Sequence, residues 1–207
     1  MPLGALLSDS LDALGAAGLP IDSLRDAGRR LVIDCPDGTR FVTTRPSDVP
    51  TYVEAGAADI GIVGRDVLIE QNPDVYQLLD LGFGQCRMAY ATPSGDDPTA
   101  DVIERLGAVR VATKYPRSAQ AHFARTGRHA EVIKVNGSVE LAPLVGLADG
   151  IVDLVQTGTT LRENGLVERE HVFASSARLV ANRVSHKLRA GLIDELAGRL
   201  ERTPDTP

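Results

Sequence analysis

Cysteine is scarce in this 207-residue chain: Cys35 and Cys86 are the two it has, and they lack CxxC spacing. They are expected as small buried residues of a reducing cytoplasm, not as a redox pair or a thiolate cage. The four histidines, His122, His129, His171 and His186, stand apart from one another and from acidic pairs, which argues against a zinc centre. No apolar run approaches the ~20 residues that a membrane span needs. The opening stretch "MPLGALLSDSLDALGAAGLP" has no basic start and carries Asp9 and Asp12. Its Leu7, Leu11 and Leu14 recur at helical spacing, so it reads as a helix and not as an export segment. Positive charge is also in deficit. A formal net charge of -6 and a pI near 5.2 argue against a nucleic-acid duplex as the main partner, while a local basic pocket for a small anion stays compatible with them.

What is present is enough apolar residue, 43% against 24% charged, to fill one large core or two modest ones. Periodicity predicts a first helix over residues 5–17, ended by Gly18, and then strands "RRLVID" and "TRFVTTR" joined at the hairpin signal Asp37-Gly38. Ser47 is expected to cap a helix with Pro50 in its first turn and Gly56 at its end. "DIGIVG" reads as a buried strand that feeds the helix "RDVLIEQ". "VYQLLDLGFG" and "CRMAYATP" are two more strands. A second series follows: helix 99–106, strand "VRVAT", helix 118–126, strand "EVIKV", helix 138–145 and strand "IVDLV". Residues 171–182 read as one long strand and 185–202 as an amphipathic terminal helix. Such alternation implies an α/β fold with mostly parallel sheets. Two lobes are expected, residues 1–91 with 171–207 as the first and 92–170 as the second, with a central cleft where strand ends meet a ligand.

The stretch "DLVQTGTTLRENGL" concentrates the chemistry. Thr157, Gly158, Thr159 and Thr160 stand between a buried strand and a helix start. One threonine would suffice to cap the helix, and glycine permits the sharp entry. Three hydroxyls beside a run of backbone amides also suit a phosphate or pyrophosphate. Composition alone leaves both readings open. Asp153 before the turn and Glu140 at an earlier helix start are either a solvated strand end and a favourable first-turn acid, or a pair of carboxylates aimed at a ligand. Arg45 ends an extended segment before Pro46, a position from which a guanidinium can enter a cleft. Arg65 and Asp66 sit at the tip of "DIGIVG", where Asp66 can cap the next helix. Arg29 and Arg30 precede "LVID", and Lys114-Tyr115-Pro116 follows "VRVAT".

The tracts "RPSDVPTYVEAGAADIGIVG" and "GSVELAPLVGLADGIVDLVQTGTTLRENGL", with "GRRLVI", "LDLGFGQCRMAYATP" and "RVATKYP", closely resemble the short form of ATP phosphoribosyltransferase, which opens histidine biosynthesis. The resemblance covers nearly the whole chain. It implies a two-lobed fold like that of type 2 periplasmic binding proteins. It also implies a reaction in which ATP and phosphoribosyl pyrophosphate (PRPP) give N1-(5-phosphoribosyl)-ATP and pyrophosphate with Mg²⁺. On that pattern Asp153, Gln156, Thr157, Gly158, Thr159 and Thr160 bind PRPP, and Glu140 and Asp153 approach Mg²⁺ directly or through water. Arg29, Arg45, Arg65 and Lys114 face ATP. Arg29, Arg45, Glu140 and Asp153 are the expected catalytic set. A regulatory subunit related to histidyl-tRNA synthetase is the implied partner, around a catalytic homodimer.

Three departures stand out: Leu3 and Gln85 each occupy a position where members often carry lysine, and Gln156 one where Glu is common. Two other classes share parts of this pattern. Purine-salvage phosphoribosyltransferases carry two adjacent acids before their "TG" turn, whereas Leu154 follows Asp153 here. A solute-binding module suits "AADIGIVG" but gives no reason to bind ATP and PRPP together.

Overall fold

A computed structural model of the protein describes residues 1–25, 28 and 30–202. The chain divides into two compact units, Met1–Gln85 with Ser176–Pro207 and Cys86–Ser175. The second unit is therefore an insertion in the first. The boundaries expected at 91/92 and 170/171 fall inside β5 (Cys86–Pro93) and β9 (Leu166–Ser175).

The first unit opens with α1 (Leu7–Ala16), α2 (Asp22–Arg25), β1 (Val32–Asp34) and β2 (Arg40–Val42). Leu14 of α1 packs in a core with Ile33 and Phe41, which face each other across the β1–β2 hairpin. The Gly38 amide donates to the Cys35 carbonyl at 3.0 Å and closes the turn. Next come α3 (Val49–Glu54), β3 (Ile60–Gly64), α4 (Arg65–Gln71) and β4 (Val75–Asp80). Ser47 does not cap α3. Its hydroxyl bonds Asp48 Oδ1 at 3.0 Å, and the turn Pro46–Asp48 winds as a 3-10 helix ahead of α3.

The second unit runs β5 (Cys86–Pro93), α5 (Thr99–Leu106), β6 (Val109–Thr113), α6 (Pro116–Arg125), β7 (Ala130–Lys134), α7 (Leu141–Leu144), β8 (Gly150–Val155), α8 (Thr159–Glu163) and β9 (Leu166–Ser175). Its strands form one sheet in the order β7-β6-β8-β5-β9. The chain then returns to the first unit as β10 (Ala177–Asn182), α9 (Arg183–Leu188) and α10 (Ala190–Glu201), with β10 central in the order β3-β10-β4.

The sheets are mixed instead of mostly parallel. Only β6 makes parallel pairs among the described strands, with β7 and β8. β5 lies antiparallel to β8 and β9, and β10 antiparallel to β3 and β4. β6, β7 and β8, joined through α6 and α7, run in one direction, whereas β5, which carries the chain into the insertion, runs opposite to them although α5 links it to β6. The expected single strand over 171–182 is broken at Ser176. Ser175 pairs with Cys86 in the second unit, whereas the Ser176 carbonyl accepts from the Arg65 amide and its hydroxyl donates to Asp80 in the first.

β8 separates two cores. Ile151 and Val155 pack with Ala89, Ala91, Val139, Ala142 and Leu161. On the other face Val152 packs with Met88, Tyr90, Val111 and Phe123. Gly150 is required at the strand's start, since a Cβ there would lie 2.6 Å from the Tyr90 ring and 2.9 Å from the Ala91 carbonyl. Alternation along β8 puts Asp153 on the face that meets α7 and α8.

Candidate active site

The loop after β8 begins the site. Gly158 adopts φ +75°, a left-handed conformation that glycine takes at little cost, and α8 starts at the next residue. The hydroxyls of Thr157 and Thr159 share a hydrogen bond at 3.0 Å across this turn. Arg162, one turn into α8, folds back over it. Its guanidinium donates to the Thr157 carbonyl at 3.1 Å and to the Thr159 hydroxyl at 3.0 Å. Small hydroxylated residues and backbone amides therefore converge within one loop, a combination that suits a phosphate, and Arg162 braces the loop.

Residues 156–160 line a pocket of about 220 Å³ together with Glu140, Asp153, Ile151, Leu154, Val155 and Leu161. Glu140 reaches it as the residue preceding α7. Asp153 reaches it from β8, where its Oδ1 accepts from the Leu154 amide at 2.9 Å and its strand partner is Ala89. Both carboxylates are half-buried. Thr113 braces the strand from behind, donating to the Val152 carbonyl at 2.6 Å while its Oγ1 accepts from the Tyr115 amide at 2.8 Å. The pocket is thus two-ended. Hydroxyls and amides on the loop suit a phosphate, and two acids on the opposite segments suit sugar hydroxyls or a hard cation.

Of the residues singled out from sequence, Glu140, Asp153, Gln156, Thr157, Gly158, Thr159 and Thr160 come together here. Lys114 belongs to the same unit, exposed immediately after β6, and is not among the lining residues. Arg45 and Arg65 are carried by the first unit. Arg45 is exposed, in extended backbone (φ -61°, ψ 144°) ahead of the 3-10 turn, and Arg65 is half-buried at the first position of α4. Arg29 lies outside the described residues. Asp66 is buried in the first turn of α4. Leu3 donates its amide to the Thr44 carbonyl at 2.8 Å, and Pro2 bridges Thr44 in parallel, so a trace of an initial strand is present.

Two residues at the loop were missed by sequence reasoning, Arg162 and Arg87. Arg87 of β5 bonds Glu168 through Nε (2.9 Å) and Nη2 (2.6 Å), and its Nη1 donates to the Gln156 carbonyl at 3.1 Å. The contacts that tie the two arginines to the loop's main chain end on the Gln156 and Thr157 carbonyls, which leave no sequence signature. A long basic side chain one turn beyond a phosphate-type loop was the available signal for Arg162.

Residues 45–202 match the family model described as HisG: ATP phosphoribosyltransferase. The chain is also 55% identical, over 193 residues, to the ATP phosphoribosyltransferase of Rubrobacter xylanophilus, a match that covers 91% of this chain and 88% of that one. The chain belongs to the ATP phosphoribosyltransferase family.

Membership makes it a pentosyltransferase of the first step of histidine biosynthesis. The ATP phosphoribosyl transferase (HisG:HisZ) complex from Thermotoga maritima matches with TM-score 0.79 and 32% identity, over 97% of this chain and 93% of that one. The substrate-binding protein of an amino acid ABC transporter matches with TM-score 0.56 at 12% identity, over 93% of this chain and 79% of that one. At that identity the likeness concerns fold alone, and it agrees with the two-lobed architecture of type 2 periplasmic binding proteins. A non-catalytic solute-binding module is not favoured against the family assignment.

Proposed function

We propose that this pocket is the PRPP site of the transferase. The 5-phosphate rests on residues 157–160, and the ribose hydroxyls and Mg²⁺ turn toward Glu140 and Asp153. The observation that carries the reading is that Glu140, which precedes α7, lines one cavity with Asp153 and the threonine loop of the β8–α8 stretch. In the reaction the bond from the anomeric carbon to pyrophosphate breaks, a bond to adenine N1 forms, and pyrophosphate departs. Adenine N1 is the nucleophile, so no protein nucleophile is required. The chain's work is alignment, which supplies on the order of 7–11 kcal/mol through effective concentration, and charge matching by preformed donors.

Mg²⁺ binds through one or two carboxylates plus substrate phosphates and water, and two pocket carboxylates fit that mode. Glu140 and Asp153, which line the pocket together, are the residues that would hold it. When bound, Mg²⁺ neutralises the leaving group. Asp153 and Glu140 hold the ribose hydroxyls, and the exposed Gln156 amide borders them. Arg29, Arg45, Arg65 and Lys114 are assigned to the triphosphate of ATP. Arginine keeps its charge at any working pH, which suits it to that role.

Thr159→Val and Thr160→Val should each raise the KM for PRPP about tenfold, the net worth of one hydrogen bond to a charged group, with the KM for ATP little changed. Equal effects on both substrates would contradict the assignment. We also assign the chain a regulatory partner related to histidyl-tRNA synthetase, around a catalytic homodimer in the cytoplasm. The relative in Thermotoga maritima is a HisG:HisZ complex, and among the described residues no helix is long and apolar enough to cross a membrane. Co-elution of the two subunits in size-exclusion chromatography checks it, and separate elution contradicts it.

A further inference from the structure

We infer that Arg87, held by Glu168, is a positioning residue that aims the amides of the phosphate loop at the substrate; this rests on the PRPP reading of the pocket. The guanidinium makes three bonds of 2.6–3.0 Å to the Glu168 carboxylate, from Nε to both oxygens and from Nη2 to Oε2. That leaves Nη1 directed at the Gln156 carbonyl, 3.1 Å away. Alternation along β5 places Arg87, Ala89 and Ala91 on one face. The two alanines leave room for the long side chain to run along the strand to Glu168, whose register partner on β5 is Ala91. Val155, the last residue of β8, is paired with Arg87 itself, so the next carbonyl falls within reach of Nη1.

In a trans peptide the carbonyl of one residue and the amide of the next point in opposite directions. The described residues contain no cis bond. Fixing the Gln156 carbonyl on Arg87 therefore turns the Thr157 amide the other way. Fixing the Thr157 carbonyl on Arg162 does the same for the Gly158 amide. Gln156, Thr157 and Gly158 line the pocket, while Arg87 and Arg162 are not among its lining residues. The carbonyls are thus neutralised on the outer side, and the amides are presented inward without moving when an anion arrives. Preformed donors of this kind cost no reorganisation on binding. Arg87 touches no reacting atom. It acts through the loop, and Glu168 acts through Arg87.

The test is calorimetric titration of the full-length chain with PRPP and Mg²⁺, and separately with ATP. Arg87→Ala should weaken PRPP binding about tenfold, the value of one charged hydrogen bond, and leave ATP binding within about twofold. Low millimolar guanidinium chloride, filling the space vacated in Arg87→Ala, should restore part of the lost PRPP affinity, which a merely structural role would not produce. Unchanged PRPP binding in Arg87→Ala, or equal losses for both substrates, overturns the inference provided Thr159→Val still weakens PRPP. If Thr159→Val leaves PRPP untouched, the pocket assignment itself fails and the inference fails with it. Should Arg87→Ala not fold, Glu168→Gln carries the test: a smaller loss confined to PRPP supports the inference, and no loss overturns it.

Discussion

Asp153, Glu140 and the three threonines stood out by residue type and order, but capping and first-turn roles explain them equally well; the resemblance made them a ligand set, and the structure places them around one pocket. Arg87 and Arg162 did not stand out, because their bonds to the loop include main-chain carbonyls and the Glu168 partner of Arg87 lies 81 residues away in sequence. His122 is a further case in which a residue looks isolated in sequence and is not so in space. It is buried in α6, with Nε2 2.8 Å from Glu170 on β9 and Arg125 3.2 Å from Nδ1. Arg128 holds the same carboxylate with two bonds of 2.6 and 2.7 Å. Burial pushes the His122 pKa below its ordinary 6.5, with Arg128 and Arg125 adding to the effect against Glu170. The hydrogen bonds from Arg128 hold Glu170 below the usual glutamate value of 4.5.

The sign follows from linkage. As pH falls through 6.5 the unfolded chain gains a proton at His122 that the folded chain refuses, so stability declines. Glu170 adds its loss only at lower pH, as the unfolded carboxylate protonates near 4.5. The urea midpoint of the natural chain should therefore fall more between pH 7.5 and pH 5.5 than that of His122→Gln. Equal falls would contradict the account.

At the scale of elements, α5 and β6 occupy the residues expected of them, and β5, β8 and α4 differ by a residue at most. Each is bounded by a signal that acts locally, such as Gly107 in left-handed backbone after α5. The helix deviations have local causes that periodicity does not register. Asn182 accepts from the amides of Val184 and Ser185 and starts α9 at Arg183, ahead of the expected position. Arg189, at φ -130°, then separates α9 from α10, where periodicity alone predicts one helix. The helix expected over 138–145 is reduced to Leu141–Leu144, a single turn that contains Pro143 and is followed by Gly146 at φ +72°. Strand direction was the least legible feature. Apolar runs such as "CRMAYATP" look alike in parallel and antiparallel pairs, and the partner decides.

At the scale of the whole chain, a negatively charged protein is assigned two polyanionic substrates. The net charge of -6 is therefore no guide to the ligand, and on the proposed reading local guanidinium groups and oriented amides set the potential at the phosphates. No histidine or cysteine dyad is needed, because two bound substrates react with each other and the protein aligns them.

The most direct measurement is an ultraviolet assay for N1-alkylated adenine with the purified chain, ATP, PRPP and Mg²⁺. Inorganic pyrophosphatase draws the reaction forward, and the assay is run with and without the synthetase-like subunit. The account predicts product that requires all three ligands together. No product under either condition, from a chain that is folded and binds both substrates, would contradict it.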